Sequence, residues 1–589
     1  MGRLKGHMVY KVIATEFLPL RERPLHDPDE DTYLSLLKIL LRTGPMYFSY
    51  SFDITNSFQR QAKSDLSAPL WKRADDRFFW NRFIQSDLID FRSGVASGSG
   101  IRHHGAQQAG VDPFILPVMF GMLRITATRV KSTPFTFTLI TRRSRHRAGT
   151  RYFSRGIDEQ GHVSNFNETE QVIILNDNST GLGGFAGGGG LQNGRVGSGD
   201  EPEVQVMAYV QTRGSVPVYW AEINTLHYVP NLQIRGVESA IDAARKHFDE
   251  QIRIYGENYL VNLVNQKGRE KRVKEAYEQM MRILVGSTAE EKQTSQRSDE
   301  KIRAIQPDKH AQEYTRLHYI YFDFHNETKG LQWHRSKILL ERLKQGLVQG
   351  QYFRGVDMPG DADGRLEIRN EQTAVVRTNC MDCLDRTNVV QSMLARWTLT
   401  RQLLDLGVLQ PGESAEDDKA FEDLFRNTWA DNADVVSKSY SGTGALKTDF
   451  TRTGVRTKAG MVQDLSNSIT RYIMNNFADG PRQDGFDLFL GTFLPSTSIV
   501  ANTLLFVDRR PVLIQSLPYI FAASVFMILV STLTRRLPDS TIWPLRIFTI
   551  LWFLVGSWSL HFIYNHGMLY VSYTRVKCVG LADTDVFRH

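Results

Sequence analysis

The chain reads as an α/β protein, and three observations predict that class. Short apolar and β-branched runs alternate with helical patterns between residues 114 and 404. One such pair, residues 373–404 (TAVVRTNCMDCLDRTNVVQSMLARWTLTRQLL), joins a buried strand to a helix through a tight loop. Two long apolar runs follow, residues 511–534 without a charge and 547–574 without Asp, Glu, Lys or Arg.

Taken in order, residues 8–21 read as a strand and its exit, and 31–42 as a helix with Leu34, Leu36, Leu37, Leu40 and Leu41 on a broad apolar side. Residues 46–55 alternate as a strand, and the aromatic stretch 76–91 reads as a helix. Residues 91–110 form a flexible loop by their Gly and Ser content. Residues 114–130 and 135–143 are strands. The glycine-dense stretch 178–200 lacks the Gly-Lys-Ser/Thr ending of a nucleotide-phosphate loop and precedes no periodic helix, so it is expected to be a disordered insertion. Residues 286–310 are polar and read as a linker or solvated helix, 318–324 as a strand, and 336–347 as an amphipathic helix.

Residues 373–376 are the strand of the central pair. After it, Val389, Val390, Met393, Leu394, Trp397 and Leu404 follow a helical period, with Thr387 and Asn388 at its expected cap. Between them lie Cys380 and Arg386, with five residues separating them. A loop entering a helix N-terminus aims backbone N–H groups at one spot, where the dipole favours an anion. Arg386 adds a bidentate clamp for phosphate oxygens, and the same positive setting lowers the thiol pKa of Cys380. The predicted chemistry is in-line attack by Cys380 on a phosphate ester, a covalent intermediate, then hydrolysis. Cys380 and Cys383 also make a C-x-x-C pair, a redox dithiol or half a zinc site by pattern. With Cys578 the only other cysteine, a four-cysteine zinc site is excluded. Cys383 is read as a small packed residue or as a resolving thiol that protects Cys380.

An alkoxide leaving group needs a proton donor, and Asp382 and Asp385 lie in the loop itself. Either can donate, or order the loop by accepting backbone N–H bonds. Asp431, Asp434 and Asp449 are further candidates. Thr387 can assist the thiolate or cap the helix. Lys447, Arg452 and the run Arg142, Arg143, Arg145, Arg147 and Arg151 are candidates for phosphate or lipid contact, against ordinary ion pairing.

The net charge of +7 suits an anionic partner: nucleic acid, an acidic membrane surface or a phosphorylated substrate. No basic helix, zinc finger or aromatic RNA-binding signature appears, so nucleic acid is not expected. Three cysteines argue against a disulfide framework. No signal peptide is read in the first thirty residues, so the sequons at Asn167, Asn178 and Asn326 are expected to stay unmodified. Each C-terminal apolar run exceeds the roughly 20 residues that cross a bilayer as a helix. Two spans return the C-terminus to the cytosol. Arg509, Arg510, Arg575 and Lys577 would then flank the hairpin on the cytosolic side, with Arg535, Arg536 and Arg546 lumenal. Residues 455–510 hold no long apolar run and are read as a flexible tether.

RTNCMDCLDRTN resembles the signature of the Sac family of phosphoinositide phosphatases. RRSRHRAGTRYFSRGID, NFNETEQ, QTRGSVPVYWAEIN, YLVNLVNQKG and WADNADVVSKSYSGTGALKTDFTRTG extend the likeness over most of the chain. With its apolar hairpin the chain most resembles the family's membrane-anchored branch, of the endoplasmic reticulum and Golgi. The resemblance implies a cysteine-phosphatase-like α/β catalytic domain with a strand–P-loop–helix, a β-rich N-terminal lobe and a two-helix transmembrane hairpin. It implies phosphatidylinositol monophosphates, chiefly the 4-phosphate, as substrates, no metal or other cofactor, and a cytosolic catalytic domain. By its motif, Cys380, Arg386, Asp382, Asp385 and Thr387 are catalytic, and Asn379, Met381, Cys383, Leu384, Lys447 and Arg452 bind substrate. The expected domains are an N-terminal lobe at 1–127, a catalytic domain at 128–490, a linker at 491–510, the spans at 511–574 and a cytosolic tail at 575–589. Family members usually carry further strands ahead of the stretch matching GHMVYKV, so the lobe is expected to be incomplete. The same loop chemistry would also serve a protein tyrosine phosphatase, and a catalytically silent version a phosphoinositide-binding scaffold.

Overall fold

The computed structural model describes residues 2–18, 28–94, 109–176, 203–286, 314–328, 337–357, 365–495, 508, 510–534 and 541–575, and the backbone of 302–305. The glycine-dense stretch 178–200, Cys578 and nearly all of the expected tail lie outside them.

The strands are β1 (Gly2–Leu4), β2 (His7–Lys11), β3 (Met46–Phe48), β4 (Met119–Val130), β5 (Thr133–Arg143), β6 (Asn167–Leu175), β7 (Gln205–Arg213), β8 (Trp220–Ile223), β9 (Asn231–Ile234), β10 (Glu257–Asn262), β11 (Ile302–Ile305), β12 (Leu317–Phe322), β13 (Phe353–Asp357), β14 (Leu366–Asn370) and β15 (Ala374–Asn379). One sheet runs β1-β2-β3-β4-β5-β6-β7-β15-β10-β12-β11, with β13 and β14 branching from β7. Its first half is antiparallel, from β1 through β7. Its second half is parallel up to β12, with β15 paired to β7 and β10, and β10 to β12, and ends in an antiparallel β11. Leu260 and Val261 are adjacent in β10 and so point to opposite faces. Leu260 packs with Tyr277 and Met281 of the helix Lys271–Val285. Val261 packs with Leu343 and Leu394 of the helices Lys337–Gly350 and Asp385–Asp405. Helices on both faces of a partly parallel sheet make the α/β class, and β15 delivers its C-terminal end to the middle of it.

Several local readings give way to tertiary contacts. The strand expected at 46–55 stops at Phe48. Beyond it the Ser49 hydroxyl takes the Phe52 N–H and the Asp53 carboxylate takes the Thr55 N–H, bonds that compete with a strand ladder. The aromatic stretch 76–91 is a short 3₁₀ turn at Asp76–Phe78 and then a helix only from Ser86. Between them Trp80 is buried, its indole N–H donating to the Arg143 carbonyl at 2.6 Å. Within 286–310, β11 pairs antiparallel with β12, a partnership that a polar sequence does not announce. The presumed tether carries two helices, Lys458–Phe477 and Asp479–Phe489. The second packs on the helix Pro28–Thr43, where a side chain at Gly485 would meet the Leu36 carbonyl at 2.7 Å. The expected lobe boundary at 127/128 falls inside β4, which pairs along its length with β5.

The helices Val512–Leu533 and Trp543–Asn565 are long and apolar enough to cross a membrane. They meet through small residues: Gly556 lies against Ser524, and the Thr549 hydroxyl donates to Ser531 at 3.0 Å. The second helix begins earlier and ends earlier than the run 547–574, and it takes Arg546 into its first turn. Residues 566–575 instead turn back onto the catalytic domain. The Ser572 N–H donates to the Asn476 carbonyl at 2.6 Å, and the Arg575 N–H to the Asp484 carboxylate at 3.0 Å. Gly567 permits this approach, because a Cβ there would stand 2.0 Å from the Thr225 carbonyl.

Candidate active site

The loop at 380–384 leaves the carboxyl end of β15 and enters the helix Asp385–Asp405, which starts two residues before the expected Thr387. A crevice beyond the carboxyl ends of parallel strands is where ligands bind in such sheets. A cavity of about 310 Å³ opens there, lined among others by Cys380, Asp382, Leu384, Asp385, Arg386 and Lys447.

Cys380 is buried at the floor. Burial pushes its thiol up, but the hydrogen bond from Cys383, the charge of Arg386 and the Thr387 hydroxyl outweigh it and bring the pKa to about 6. The Cys383 thiol is pushed the opposite way, by burial first and then by Cys380. Its single S–H has the Gly214 carbonyl at 3.1 Å and the Cys380 carbonyl at 3.3 Å within reach. The electrostatics thus lower one thiol of the pair and raise the other.

Arg386 does not lie free in the loop. Its Nη1 donates to Glu270 at 3.0 Å, Asn265 at 2.8 Å and the Leu263 carbonyl at 3.0 Å, and its Nη2 to Glu270 at 3.1 Å. Burial works against its charge, yet Cys380 and Glu270 raise its pKa and keep it cationic.

The two loop aspartates separate. Asp382 meets Arg151 at 2.9 Å and Arg155 at 2.6 Å. Burial would raise its pKa, but these arginines overcome that and hold the carboxyl well below the usual range. Asp385 accepts the Leu446 N–H at 2.9 Å. Burial raises its pKa, and Arg471 and that N–H oppose without cancelling the rise. Burial thus raises the Asp385 carboxyl, while two arginines hold Asp382 as an anion.

The other expected residues divide by placement. Thr387 is fully buried and lowers the Cys380 thiol. Lys447 lines the cavity mouth in the left-handed region, φ 59°, its own N–H donating to Asp464 at 3.0 Å. The Asn379 side chain faces away, donating to Asn262 at 2.8 Å. The Met381 side chain packs in the core with Tyr319 and Tyr277. Leu384 packs on Val436 and Tyr440 while edging the cavity. Of these side chains, only Leu384 borders the cavity. Arg452 does not reach the cavity; it is held by Asp431 at 2.7 Å and Asp434 at 3.3 Å. Those two aspartates are thereby occupied, and Asp449 pairs with Arg456. Of the arginine run only Arg151 touches the loop. Arg142 is buried between Glu168 and Glu170, Arg143 donates to the Ser439 and Gly149 carbonyls, Arg145 pairs with Asp76, and Arg147 donates to the Arg155 carbonyl. Asn167 is buried within β6, out of reach of glycosylation.

Sequence reasoning missed Arg155, Glu270, Asn265 and Arg213. Arg155 pairs with Glu222 as well as Asp382. Arg213, fully buried behind the loop, has its pKa pushed down by burial to about 10 against the pull of Cys383 and Cys380. Arg155, Arg213 and Asn265 stand inside the family-like segments RYFSRGID, QTRGSVPVYWAEIN and YLVNLVNQKG, the signal that could have found them.

Comparison with known proteins places this geometry. A family model described as the SacI homology domain matches residues 1–329. Phosphatidylinositol-3-phosphatase SAC1 of Saccharomyces cerevisiae is 41% identical over 98% of this chain and 82% of its own length. Its namesake in Drosophila melanogaster is 39% identical over 84% of this chain and 71% of its own length. Phosphoinositide phosphatase SAC6 of Arabidopsis thaliana is 33% identical over 85% of this chain and 72% of its own length.

Proposed function

The chain belongs to the Sac family, and from that premise we propose that it is a membrane-anchored phosphatidylinositol phosphate phosphatase working through a phosphocysteine on Cys380. The observation that carries the mechanism is the thiol brought to about 6 beside Arg386, at the entrance of a helix and on the floor of an open cavity. In the proposed reaction the Cys380 thiolate attacks phosphorus in line, forming the S–P bond as the P–O bond to the inositol ring breaks. Asp385 gives its proton to the departing ring oxygen. Water then attacks the phosphocysteine, Asp385 takes a proton from it, and the thiolate leaves with help from the Thr387 hydroxyl. The entering phosphate competes with Glu270 for Arg386, and the loop N–H groups receive its equatorial oxygens.

The substrates proposed are phosphatidylinositol monophosphates. The 4-phosphate is expected from the family resemblance, whereas the yeast and fly relatives are named for the 3-phosphate, so both ring positions fall within the proposal. The two apolar helices would fix the enzyme in the endoplasmic reticulum or Golgi membrane with the catalytic domain cytosolic. Phosphate release from vesicles carrying each phosphoinositide, by wild type and Cys380→Ser, tests the reading. Release by wild type alone is expected. Release from a phosphotyrosine peptide but from no phosphoinositide would point instead to a protein phosphatase, and full cellular rescue by Cys380→Ser to a binding scaffold.

A further inference from the structure

The helix Lys458–Phe477 carries an apolar face that the described residues leave bare. Met461, Leu465, Ile469, Ile473 and Phe477 recur every four residues, with Val462 beside them, and all are at least half exposed, Val462 at 68% and Leu465 at 61%. Core helices of this chain behave otherwise: in Lys271–Val285 the apolar stripe is buried. The exposed side holds no carboxylate. The one acidic residue of the helix, Asp464, turns inward to the Lys447 N–H and to Arg456.

What lies against this face follows from where the helix is fastened. At its C-terminal end the Asn476 carbonyl takes the Ser572 N–H, just after the second apolar helix. One turn earlier the Tyr472 hydroxyl donates to the Leu226 carbonyl. Next to Leu226, the His227 ring meets Tyr564 in the last turn of that apolar helix, centroids 4.5 Å apart. Tyr228 and Val229, in the same loop, are exposed at 86% and 57%. The bare helix face and the bare loop tip therefore both start where the chain would emerge from the bilayer. At the other end, Asp464 holds Lys447 at the mouth of the Cys380 cavity.

We propose that the helix Lys458–Phe477, with the loop at 226–229, lies in the interfacial plane of the same membrane that the two apolar helices cross, its apolar face among the lipids. A helix of 20 residues is about 30 Å long. It would hold the catalytic cavity roughly that far from the spans, over lipids of its own bilayer. An in-plane amphipathic helix binds through buried apolar area, and the absence of exposed carboxylates suits an anionic surface. The consequence for turnover rests on the phosphatase reading; the lipid contact itself does not.

The test uses the full chain reconstituted in phosphatidylcholine vesicles containing a phosphatidylinositol monophosphate. A photo-crosslinking phenylalanine analogue at position 465 or 473 should label lipid. Label transferred to a second copy, or to another segment of the same chain, overturns the proposal. In parallel, Leu465→Asp/Ile469→Asp should lower turnover of vesicle lipid about tenfold or more, yet leave hydrolysis of a soluble short-chain phosphatidylinositol phosphate unchanged. Equal loss on both substrates would mean a structural role and sink the idea. If wild type hydrolyses neither substrate while lipid labelling persists, the phosphatase reading has failed and the docking surface stands.

Discussion

Two of the arginine–carboxylate clusters among the described residues make a pair, since one is sealed and the other borders the candidate cavity. In the first, Arg60, Arg77 and Arg142 surround Glu168, with Asp75 and Glu170 completing the charge balance. Glu168, Glu170 and Arg142 are fully buried, and the Arg142 guanidinium also donates to the Ile54 and Asn56 carbonyls. Each of the three guanidiniums is held by a carboxylate of the cluster. In the second, Arg151 and Arg155 close on Asp382 and Arg386 on Glu270, but one wall is a cavity with a thiol at its floor. Both clusters are rich in arginine. Their difference teaches that arginine makes a phosphate site only where its partners leave a wall open.

The sharpest break in that comparison is at Cys380. Cys380→Ser should lower kcat by at least about 10³-fold without unfolding the chain, read by single-turnover phosphate release. Next is the assignment of the proton. Asp385→Asn should cost about 10²- to 10⁴-fold in kcat and change the pH profile. The thiolate forms above the lowered Cys380 pKa of about 6, so its ionisation should set one limb of the profile. Ionisation of Asp385, whose pKa burial raises, should set the other. Asp385→Asn removes the Asp385 limb alone, whereas Asp382→Asn should keep both; an unchanged profile in Asp385→Asn would move the donor elsewhere.

The first cluster answers to stability instead. Glu168→Gln leaves buried arginines short of a charge and should cost about 3–5 kcal/mol, seen as an earlier thermal transition in detergent. Burial opposes the charge of Glu168, but Arg60 and Arg142 bring its pKa to about 2 from an ordinary 4.5. Its contribution is therefore complete above pH 4.5 and is lost as the pH falls towards 2. The smallest effect is at Arg452, whose part-exposed pairs face away from the cavity: Arg452→Ala should leave kcat/KM within about threefold.

How much was legible differs between fold and site. The strand–loop–helix at 373–404 and the two long apolar helices stand out because both are runs of local pattern, although the strand runs on to Asn379, the helix after it starts at Asp385 and the last apolar helix stops at Asn565. β11 was illegible because its four residues sit in a polar stretch and only pairing with β12 makes them a strand. Lys458–Phe477 was passed over because its apolar residues are spaced along one face rather than run together. In the site, Cys380, Arg386 and Thr387 were legible as a spacing. Arg155 and Glu270 were not, since each is far from the loop in sequence and is brought to it only by the sheet.

The sequence by itself determined that a cysteine and an arginine would share one tight loop at a helix entrance, ahead of two helices fit for a bilayer. Those are consequences of neighbours along the chain, where period, turn chemistry and composition act. The tertiary structure decided which cysteine titrates low, which aspartate is raised and which lowered, and which arginines are already spent. Asp382 and Asp385 are three residues apart in one motif, yet Arg151 and Arg155 fix the first as an anion while burial raises the second. A pKa answers to the charges and the water around a group, and packing sets both.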